Sequence, residues 1–310
     1  MDKVITITGG TGSLGNQLVT TLLEELQIGE IRIVSRDEEK QLQMRRKFAS
    51  SKIKFYIGDV RDIESLKRPF DGSDVVIHAA AMKQIDTCEY FPHETIKTNV
   101  LGAENVCRAA EGRTKRCVAI STDKATLPLN IYGMSKGLQE RIFCGWSNGQ
   151  TTYSAVRYGN VVGSRGSVIP YFKELRDKDL PLPITHPEMT RFWLRLKDAV
   201  ELVLYASNTA EHGELLVPRM KASKIIDLAE VMSDQPWHIT GPRPGEKLHE
   251  DIVSEDEARR AFSNGQYIHI QPVGVLVPPA IALTNSVASN TVEMLTKEEL
   301  HKMLVEEGWL

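Results

Sequence analysis

In the first half of the chain, short apolar runs alternate with segments whose apolar residues recur every three or four positions. The runs are rich in Val and Ile, and they lie at residues 3–9, 30–36, 53–59, 74–80, 116–122 and 151–163. Apolarity that is continuous rather than alternating is typical of strands covered on both faces, as in a parallel sheet. The segments between the runs have helical periodicity. We therefore predict an α/β fold with a Rossmann-type doubly wound parallel sheet.

The pattern becomes more irregular after about residue 164, and prolines are dense at 181–187 and 242–244. We expect residues 1–163 to form a Rossmann domain, and the helical segment within 191–213 to return to it. Residues 164–190 and 214–310 are expected to form a smaller, mixed substrate-binding region. The pattern after about residue 270 predicts no functional site.

Composition and charge exclude several classes of protein. The chain has 310 residues, is 41% hydrophobic and 25% charged, and carries a net charge of −3, as expected for a globular protein with a large core. This balance provides no basic surface for nucleic acid and no polybasic segment for a membrane. The four cysteines show no C-x-x-C spacing, so we expect reduced thiols, no disulfide scaffold and no metal site. With neither a signal peptide nor a long apolar run, the chain is expected to be a soluble cytoplasmic protein.

A glycine-rich loop, within the stretch ITGGTGSLGNQLV (7–19), joins the first predicted strand to the first predicted helix. Glycines let the backbone approach a pyrophosphate closely, and the helix N-terminus supplies free N–H donors. Tight turns also use glycine, but the position of this loop favours dinucleotide binding. The expected cofactor contacts here are Gly9, Thr11, Gly12, Ser13, Leu14 and Gly15.

The end of the second predicted strand bears on the choice between NAD and NADP. An acid at this position receives the ribose 2′-hydroxyl of NAD, whereas a base accommodates the 2′-phosphate of NADP. The strand ends at Ser35-Arg36, so we favour tightly bound NADP and keep NAD as the alternative. Asp37 comes one residue after the position at which an acid would receive the ribose hydroxyl, and it could instead cap a helix. The cofactor contacts expected outside the glycine-rich loop are Arg36, Asp37, Lys40, Asp59, Val60, Ala79, Ala80, Ala81 and Lys83.

Tyr132 and Lys136 lie four residues apart, and hence on one face of the helix predicted after the fifth strand. A nearby ammonium and a nicotinamide ribose can lower the pKa of such a tyrosine, whose phenolate then accepts a substrate proton as hydride leaves. The Tyr-x-x-x-Lys spacing is common by chance, but its place in a dinucleotide-binding sheet favours a catalytic pair. Ser121 and Thr122, at the end of the fifth strand, supply hydroxyls beside this pair.

Asp123 and Lys124 form an additional pair that a simple reductase does not need. A dehydratase does need one, because the carbon next to a new ketone becomes acidic and a hydroxyl must then depart. Lys124 is the expected base, with a pKa lowered by Lys136 and Lys83, and Asp123 is the expected acid. An exposed Asp-Lys turn is the alternative interpretation.

Several motifs resemble one family closely. The stretch STDKA (121–125) followed by P-x-N-x-YG-x-SK is similar to the extended short-chain dehydrogenase/reductases that dehydrate nucleotide sugars. The stretches at 78–106, 156–172, 182–193 and 241–250 also resemble this family. More narrowly, the chain resembles the soluble UDP-N-acetylglucosamine 4,6-dehydratases of the 5-inverting, pseudaminic acid type. The Asp-Lys pair carries this narrower resemblance, since glucose-type dehydratases have Asp-Glu there.

The resemblance implies a reaction. NADP oxidises C4, Lys124 removes the C5 proton, Asp123 helps to expel the C6 hydroxyl as water, and hydride returns to C6. Reprotonation of C5 from the opposite face then gives UDP-2-acetamido-2,6-dideoxy-L-arabino-hex-4-ulose. A C5-retaining dehydratase, a C4 epimerase and a non-catalytic NADP-binding regulator are the alternatives. The resemblance also implies a homo-oligomer.

The resemblance further lends binding roles to individual residues. Thr185 and Met189 would flank the uridine, Arg243 would bind the diphosphate and Glu246 would bind the ribose diol. The complete set of expected substrate contacts is Lys83, Thr122, Asn160, Arg165, Gly166, Ser167, Val168, Ile169, Thr185, Met189, Arg243 and Glu246. The expected cofactor contacts on the later strands and helix are Ser121, Tyr132, Lys136 and Val161.

Overall fold

The structure is a computed structural model that describes residues 3–24, 28–146 and 149–310. Its strands are β1 (Lys3–Thr8), β2 (Ile28–Ser35), β3 (Ile53–Ile57), β4 (Ser73–His78), β5 (Thr114–Thr122), β6 (Thr152–Tyr158), β7 (Asn160–Val161), β8 (Leu182–Ile184), β9 (Thr190–Leu194), β10 (Leu215–Pro218), β11 (Ala222–Lys224), β12 (Trp237–Ile239), β13 (Asp251–Val253), β14 (Ala261–Ser263), β15 (Tyr267–Ile270) and β16 (Val287–Ala288). Its helices are α1 (Ser13–Glu24), α2 (Glu38–Phe48), α3 (Glu64–Phe70), α4 (Ile85–Tyr90), α5 (Pro92–Thr95), α6 (Gly102–Ala110), α7 (Ile131–Cys144), α8 (Val168–Arg176), α9 (Leu196–Thr209), α10 (Ile225–Met232), α11 (Glu255–Ala258) and α12 (Lys297–Glu306). A π-helical segment spans Ile96–Leu101 and a 3₁₀ turn spans Asp123–Ala125.

The central sheet has nine strands in the order β14-β15-β10-β6-β5-β4-β1-β2-β3. Neighbouring strands from β3 to β10 are parallel, and β14 and β15 are added antiparallel. Apolar side chains leave both faces, which explains the continuous apolar runs. In β4, Val75 and Ile77 pack with α1 and α9 on one face, whereas Val76 packs with α3 and α6 on the other. The predicted fold class is confirmed.

The last predicted strand, 151–163, is wrong as a single element. The structure ends β6 at Tyr158, and β7 leaves the central sheet to pair with β9 instead. The break falls at Gly159, where a Cβ atom would lie 2.5 Å from Cβ of Phe192. Only glycine therefore allows the chain to pass β9 this closely.

The rest of the chain adds small sheets beside the carboxyl ends of the central strands. A three-stranded sheet has the order β11-β9-β7, and β12 pairs with β8 and β13 with β16. The division into a domain of 1–163 and a second region stays a prediction. Strands β10, β14 and β15 of the second region lie in the central sheet. None of the helices in the three described ranges has both the length and the apolarity to cross a bilayer.

Candidate active site

A cleft of about 1290 Å³ lies at the carboxyl ends of the central strands. Parallel strands present their carboxyl ends at one edge of a sheet, so loops that are distant in sequence meet there. Among the predicted site residues, Asp123 and Ile169 do not line this cleft, and all the others do. Ile169 is fully buried in the first turn of α8, where its side chain packs with Phe172 and Leu182. The structure therefore places Ile169 in the core and does not bring its side chain to the cleft.

The glycine-rich loop forms one end of the cleft. Gly9 has a φ of +65°, and a Cβ atom there would lie 2.7 Å from the backbone of Ala80. A Cβ atom on Gly15 would lie 2.1 Å from the carbonyl oxygen of Gly10. Helix α1 begins directly after the loop, at Ser13, so its free N–H groups are available to an anion. The loop has the shape of a pyrophosphate cradle.

Two cationic side chains line the cleft beside the end of β2: Arg36, which follows the strand, and Lys40, in helix α2. Arg36 is half exposed, and its Nη1 lies 3.5 Å from Oδ2 of Asp59. Asp37 caps helix α2, since its side chain accepts a hydrogen bond from the Lys40 backbone N–H at 2.9 Å. The Lys40 ammonium also lies 2.5 Å from the Asp37 carboxylate. The capping interpretation of Asp37 is therefore confirmed, and a contact between Asp37 and the cofactor stays a prediction.

Tyr132 and Lys136 lie in the first turns of α7, which Asn130 caps by accepting from the Gly133 N–H at 2.7 Å. A Cβ atom on Gly133 would lie 2.2 Å from the Lys124 carbonyl oxygen. The glycine thus lets α7 pack directly on the 3₁₀ turn that carries Asp123 and Lys124. This contact brings the two predicted catalytic pairs together.

Burial controls the protonation of the first catalytic pair. It lowers the pKa of Lys136 to about 7, although the Glu140 carboxylate acts in the opposite direction. The Lys136 ammonium donates to the Ile120 carbonyl at 2.5 Å and to the Gln139 side chain at 2.7 Å. Burial also raises the pKa of Tyr132 to about 12, although Lys124 and Thr122 act to lower it. The expectation of a lowered tyrosine pKa is therefore wrong for the groups that the protein itself supplies.

Asp123 lies behind the cleft wall. Its side chain is fully buried, and its Oδ1 accepts from the Thr122 hydroxyl at 2.9 Å and from the Lys124 ammonium at 3.1 Å. Its Oδ2 has no hydrogen-bond partner among the residues that the structure describes. A Cβ atom on Gly159 would lie 3.4 Å from this oxygen, so the break after β6 also makes room for the acid.

Lys124 faces the cleft with carboxylates on two sides. Its Nζ lies 3.1 Å from Asp123 Oδ1, 3.4 Å from Glu250 Oε1 and 3.4 Å from Asn160 Oδ1. Burial lowers the pKa of Lys124, but Asp123 and Glu250 raise it by more, so that it lies well above its ordinary value. The predicted lowering by Lys83 and Lys136 is therefore wrong, because the nearest charges are negative.

The loop after β7 crosses from the substrate side of the cleft to the glycine-rich loop. The Arg165 guanidinium donates to the Thr11 carbonyl at 2.7 Å. Gly166 has a φ of +73°, and the Gln84 amide occupies the space in which its Cβ would lie. Burial, with a smaller effect of Arg165, lowers the pKa of Lys83. The loop therefore joins the two halves of the cleft.

The far end of the cleft holds the residues assigned to the nucleotide. Arg243 Nη2 lies 2.6 Å from Glu246 Oε1, so these two side chains bind each other. The Thr185 hydroxyl lies 3.0 Å from the Met189 sulfur, and Met189 is buried. The structure brings these four residues to one end of the cleft, and their individual roles stay predictions.

Comparison with known proteins identifies the family to which the chain belongs. Residues 5–272 match the model of a family described as polysaccharide biosynthesis protein. The chain belongs to this family. A relative from Campylobacter jejuni, named UDP-N-acetylglucosamine 4,6-dehydratase (inverting), is 45% identical over 277 residues, which cover 87% of this chain and 83% of the relative. The resemblance inferred from the motifs is thereby confirmed.

Other relatives of this family member have other names. A protein from Rickettsia felis named UDP-glucose 4-epimerase is 42% identical over 327 residues, covering 98% of this chain and 96% of the relative. Among solved structures, Pen from Bacillus thuringiensis is 32% identical with a TM-score of 0.93, covering 100% of this chain and 99% of that one. DesIV, a dTDP-glucose 4,6-dehydratase from Streptomyces venezuelae with NAD and TYD bound, has a TM-score of 0.73 at 20% identity over 79% of this chain and 86% of that one. The DesIV likeness supports the fold alone.

Sequence reasoning missed two charged residues of the site. Arg191 lies in β9, and Glu250 precedes β13; both are buried and both line the cleft. Arg191 Nε lies 3.8 Å from Glu250 Oε1. The quoted stretches 182–193 and 241–250 contain both residues. An arginine inside the apolar stretch TRFWL was the available signal, because a buried charge requires a partner.

Proposed function

We propose that this family member is a UDP-N-acetylglucosamine 4,6-dehydratase that inverts C5, a carbon–oxygen lyase that uses NADP. The observation that carries the proposal is that α7, with Tyr132 and Lys136, packs on the 3₁₀ turn of Asp123 and Lys124, so that three of these side chains line one cleft and Asp123 lies directly behind its wall. A reductase or epimerase uses only the second pair. The Campylobacter relative, whose name states this activity, supports the proposal at 45% identity.

A nicotinamide dinucleotide fits the glycine-rich end of the cleft. Glycines at 9 and 15 let the loop pack tightly on the backbones of Ala80 and Gly10, and the N-terminus of α1, directly after the loop, supplies donors for a pyrophosphate. Bound there, a nicotinamide would supply the hydride acceptor for oxidation at C4 and the hydride donor for reduction at C6. Arg36 and Lys40, which line the same end, favour NADP over NAD because a guanidinium binds a 2′-phosphate through its planar fork.

The side chains around the sugar divide the proton transfers between them. Tyr132 accepts the C4 hydroxyl proton, and Lys136, with its pKa near 7, passes protons onward. Lys124 removes the C5 proton, and Asp123 helps to expel the C6 hydroxyl as water. A proton that reaches C5 from the opposite face gives the inverted 4-keto product, UDP-2-acetamido-2,6-dideoxy-L-arabino-hex-4-ulose.

The substrate is proposed to lie along the remainder of the cleft. Asn160 and Lys83 are assigned to the sugar and diphosphate, and residues 165–168 to the nucleotide, since all of them line the cleft. Thr185, Met189, Arg243 and Glu246 are assigned to the uridine diphosphate end. The contact between Arg243 and Glu246 uses Nη2 of Arg243, so the guanidinium keeps further N–H donors for the diphosphate.

A UDP-sugar C4 epimerase is the second candidate. It is favoured by the Rickettsia relative, which is named for epimerisation and matches 98% of this chain. C4 epimerisation requires Tyr132 and Lys136 but leaves Asp123 and Lys124 without chemistry. A C5-retaining dehydratase would use the same four side chains.

NMR of the purified protein with UDP-N-acetylglucosamine, without added cofactor, tests the proposal. We expect a 6-methyl, 4-keto sugar, and the coupling constants at C5 distinguish inversion from retention. Unchanged substrate would refute the proposal, and a C4-epimerised sugar would establish the second candidate. UDP-glucose in parallel, and Asp251→Asn, which removes an acid that does not line the cleft, serve as controls. Extraction of the bound nucleotide, followed by mass spectrometry, distinguishes NADP from NAD.

A further inference from the structure

Lys124 is the base of the proposed function, yet its surroundings hold it as an ammonium ion. Burial opposes the charge, but carboxylates at 3.1 and 3.4 Å raise the pKa of Lys124 by more. An ammonium has no lone pair and cannot take a proton from C5. A proton must therefore leave Lys124 before elimination begins, and a buried site needs an acceptor within reach of the amine.

Two carboxylates lie near the amine, and their surroundings differ. Asp123 Oδ1 already accepts two hydrogen bonds, from Thr122 and from Lys124, its Oδ2 has no partner among the residues described, and Asp123 lies behind the cleft wall. Glu250 is 2% exposed and lines the cleft, and its Oε2 has no hydrogen-bond partner among the residues described. A buried carboxylate oxygen that accepts no hydrogen bond has lone pairs free to take a proton.

The backbone fixes Glu250 in front of Lys124. The Glu250 N–H donates to the Ser289 hydroxyl at 2.9 Å, and the Ser289 N–H donates to the Glu250 carbonyl at 2.8 Å. Next to it, the Arg191 guanidinium donates to the Leu248 carbonyl at 3.2 Å. Lys247 donates to the Thr126 carbonyl at 2.7 Å, which ties this segment to the loop after Lys124. The backbone of Glu250 is therefore held in place by both of its neighbouring segments.

We propose that Glu250 is a positioning residue of the elimination, which accepts the proton of the Lys124 ammonium and so produces the free amine that attacks C5–H. This inference rests on the proposed function and deepens it. It assigns the first proton transfer to Glu250 and leaves Asp123 to carry the proton that reaches the C6 hydroxyl.

The proton transfers balance over one elimination. An N–H bond of Lys124 breaks and an O–H bond forms on Glu250. The free amine then takes the C5 proton, and the C5–H electron pair enters the C4 ketone as an enolate. Lys124 passes this proton to Asp123, which protonates the C6 hydroxyl as the C6–O bond breaks and water leaves. The proton on Glu250 finally returns to Lys124, which restores the resting charges.

The charged and titratable groups that face Lys124 come from several elements. Asp123 is its neighbour on the 3₁₀ turn, Glu250 precedes β13, Arg191 comes from β9 and Tyr132 from α7. Arg191 lies 3.8 Å from Glu250 Oε1, and its positive charge acts to lower the pKa of Lys124. Replacing Glu250 with a neutral residue therefore removes one of the two carboxylates next to Lys124, while Asp123 and Arg191 stay in place.

Glu250→Gln is the central variant, because it keeps the shape of the side chain but cannot accept the proton. We expect kcat for dehydration to fall on the order of 100-fold or more. Between pH 8 and 9.5, kcat of this variant should rise about tenfold per pH unit, because Lys124 must then release its proton to bulk water. The wild-type enzyme transfers that proton internally, so its kcat should show no such rise. Asp251→Asn, one residue away with its side chain turned to Lys247, should behave as the wild type.

The oxidation step provides the check for a merely structural effect. Transient NADPH absorbance at C4 oxidation should be unchanged in Glu250→Gln, because Tyr132 and Lys136 are untouched. Glu250→Asp, which restores the acid, should recover part of kcat and the pH-independent profile. A Glu250→Gln enzyme that turns over within twofold of the wild type, or whose profile has the wild-type shape, would overturn the proposal.

A readout without substrate separates this inference from the proposed function. In protein labelled with ¹⁵N-lysine, the Lys124 Nζ signal is assigned by its loss in Lys124→Met. We expect its titration to move to lower pH in Glu250→Gln and to stay unchanged in Asp251→Asn. An unchanged titration in Glu250→Gln would sink the coupling of the two groups even if dehydration is observed. A shifted titration in a protein that leaves UDP-N-acetylglucosamine unchanged would instead refute only the function.

Discussion

A fully buried arginine ties the catalytic helix to the segment that carries Glu250. Arg157 in β6 donates to the Glu140 carboxylate at 2.9 and 2.6 Å and to the Glu257 carboxylate at 2.9 and 2.8 Å. It also donates to the Ile252 carbonyl at 2.9 Å. Glu140 belongs to α7 and Glu257 to α11. Replacing Arg157 with Met keeps most of the volume but leaves two buried carboxylates without their partner.

The structure sets the size of the effect. Removing one partner of a buried ion pair destabilises a protein by about 3–5 kcal/mol. The pKa of Glu257 gives an independent measure: burial raises it, but hydrogen bonds from Arg157 lower it further, from 4.5 to about 2. At roughly 1.4 kcal/mol for each tenfold change in proton affinity, this lowering corresponds to about 3 kcal/mol. We therefore expect Arg157→Met to reduce the free energy of unfolding at pH 7 by about 3–5 kcal/mol.

The sign of the pH dependence follows from the lowered pKa. A carboxylate with a depressed folded-state pKa contributes stability that is present above its ordinary pKa of 4.5 and is lost as pH falls towards 2. In Arg157→Met the unpaired Glu257 carboxylate takes up a proton already at a higher pH, because burial disfavours its charge. The difference in stability between wild type and variant should therefore be largest at pH 7 and shrink as the pH falls.

Urea unfolding followed by fluorescence, at pH 7 and at pH 4, measures this difference. The matched control is Lys178→Met, which removes a surface partner of Glu174 and should change the stability by about 0.5 kcal/mol at most. A loss below 1 kcal/mol at pH 7, or a loss that grows as the pH falls, would contradict the reasoning. Adding Glu140→Gln and Glu257→Gln should return part of the lost stability, because the uncompensated charges are then gone.

Two further predictions concern the cleft, and a third concerns Gly163 in the loop after β7. Lys124→Ala should abolish elimination while the cofactor still co-purifies, which absorbance of the purified protein and NMR of the sugar check together; normal turnover would refute the base assignment. Arg36→Asp should lower the affinity for NADP relative to NAD by about tenfold or more, measured by fluorescence titration of nucleotide-free protein, because the 2′-phosphate would meet a negative charge; an unchanged ratio would remove Arg36 from the site. Gly163→Ala should destabilise the protein by about 1–3 kcal/mol in thermal unfolding, because the residue has a φ of +65° and its Cβ would overlap the Trp309 indole. The control is Gly274→Ala, since Gly274 also has a positive φ but its Cβ would have nothing within 4 Å. Equal losses of stability in both variants would show that the overlap with the indole is irrelevant.

The fold could be predicted from the sequence because each central strand is buried on both faces. Burial of Val75, Val76 and Ile77 alike produces a continuous apolar run, and a parallel sheet is the structure that requires it. The cleft followed from the same inference, since the loops after parallel strands meet at one edge. The extent of the run 151–163 failed as a prediction because apolarity does not record which sheet a residue joins. Gly159 carries that information through a steric contact with Phe192, which is distant in sequence.

The two site residues that the sequence analysis missed, Arg191 and Glu250, were missed for the same physical reason. Arg191 reaches the cleft because β9 pairs with β7 and β11, and Glu250 reaches it because its backbone is paired with Ser289. No local pattern encodes these pairings. Ile169 shows the converse: it lies in a stretch that borders the cleft, but the helical turn directs its side chain into the core. A motif therefore locates a segment of the site, whereas the direction of each side chain depends on contacts made elsewhere.

The two lysines proposed to be catalytic show why charge is the hardest property to predict from sequence. Lys136 and Lys124 are both buried, yet the pKa of Lys136 falls to about 7 and that of Lys124 rises above its ordinary value. Lys136 donates to uncharged oxygens, whereas Lys124 faces Asp123 and a second carboxylate, Glu250, from a remote segment. Under the proposed function this difference orders the reaction. At neutral pH Lys136 is ready to exchange a proton, so oxidation at C4 can proceed, whereas elimination must wait until Lys124 has lost its proton. The delay serves the chemistry, because C5–H becomes acidic only after C4 is a ketone.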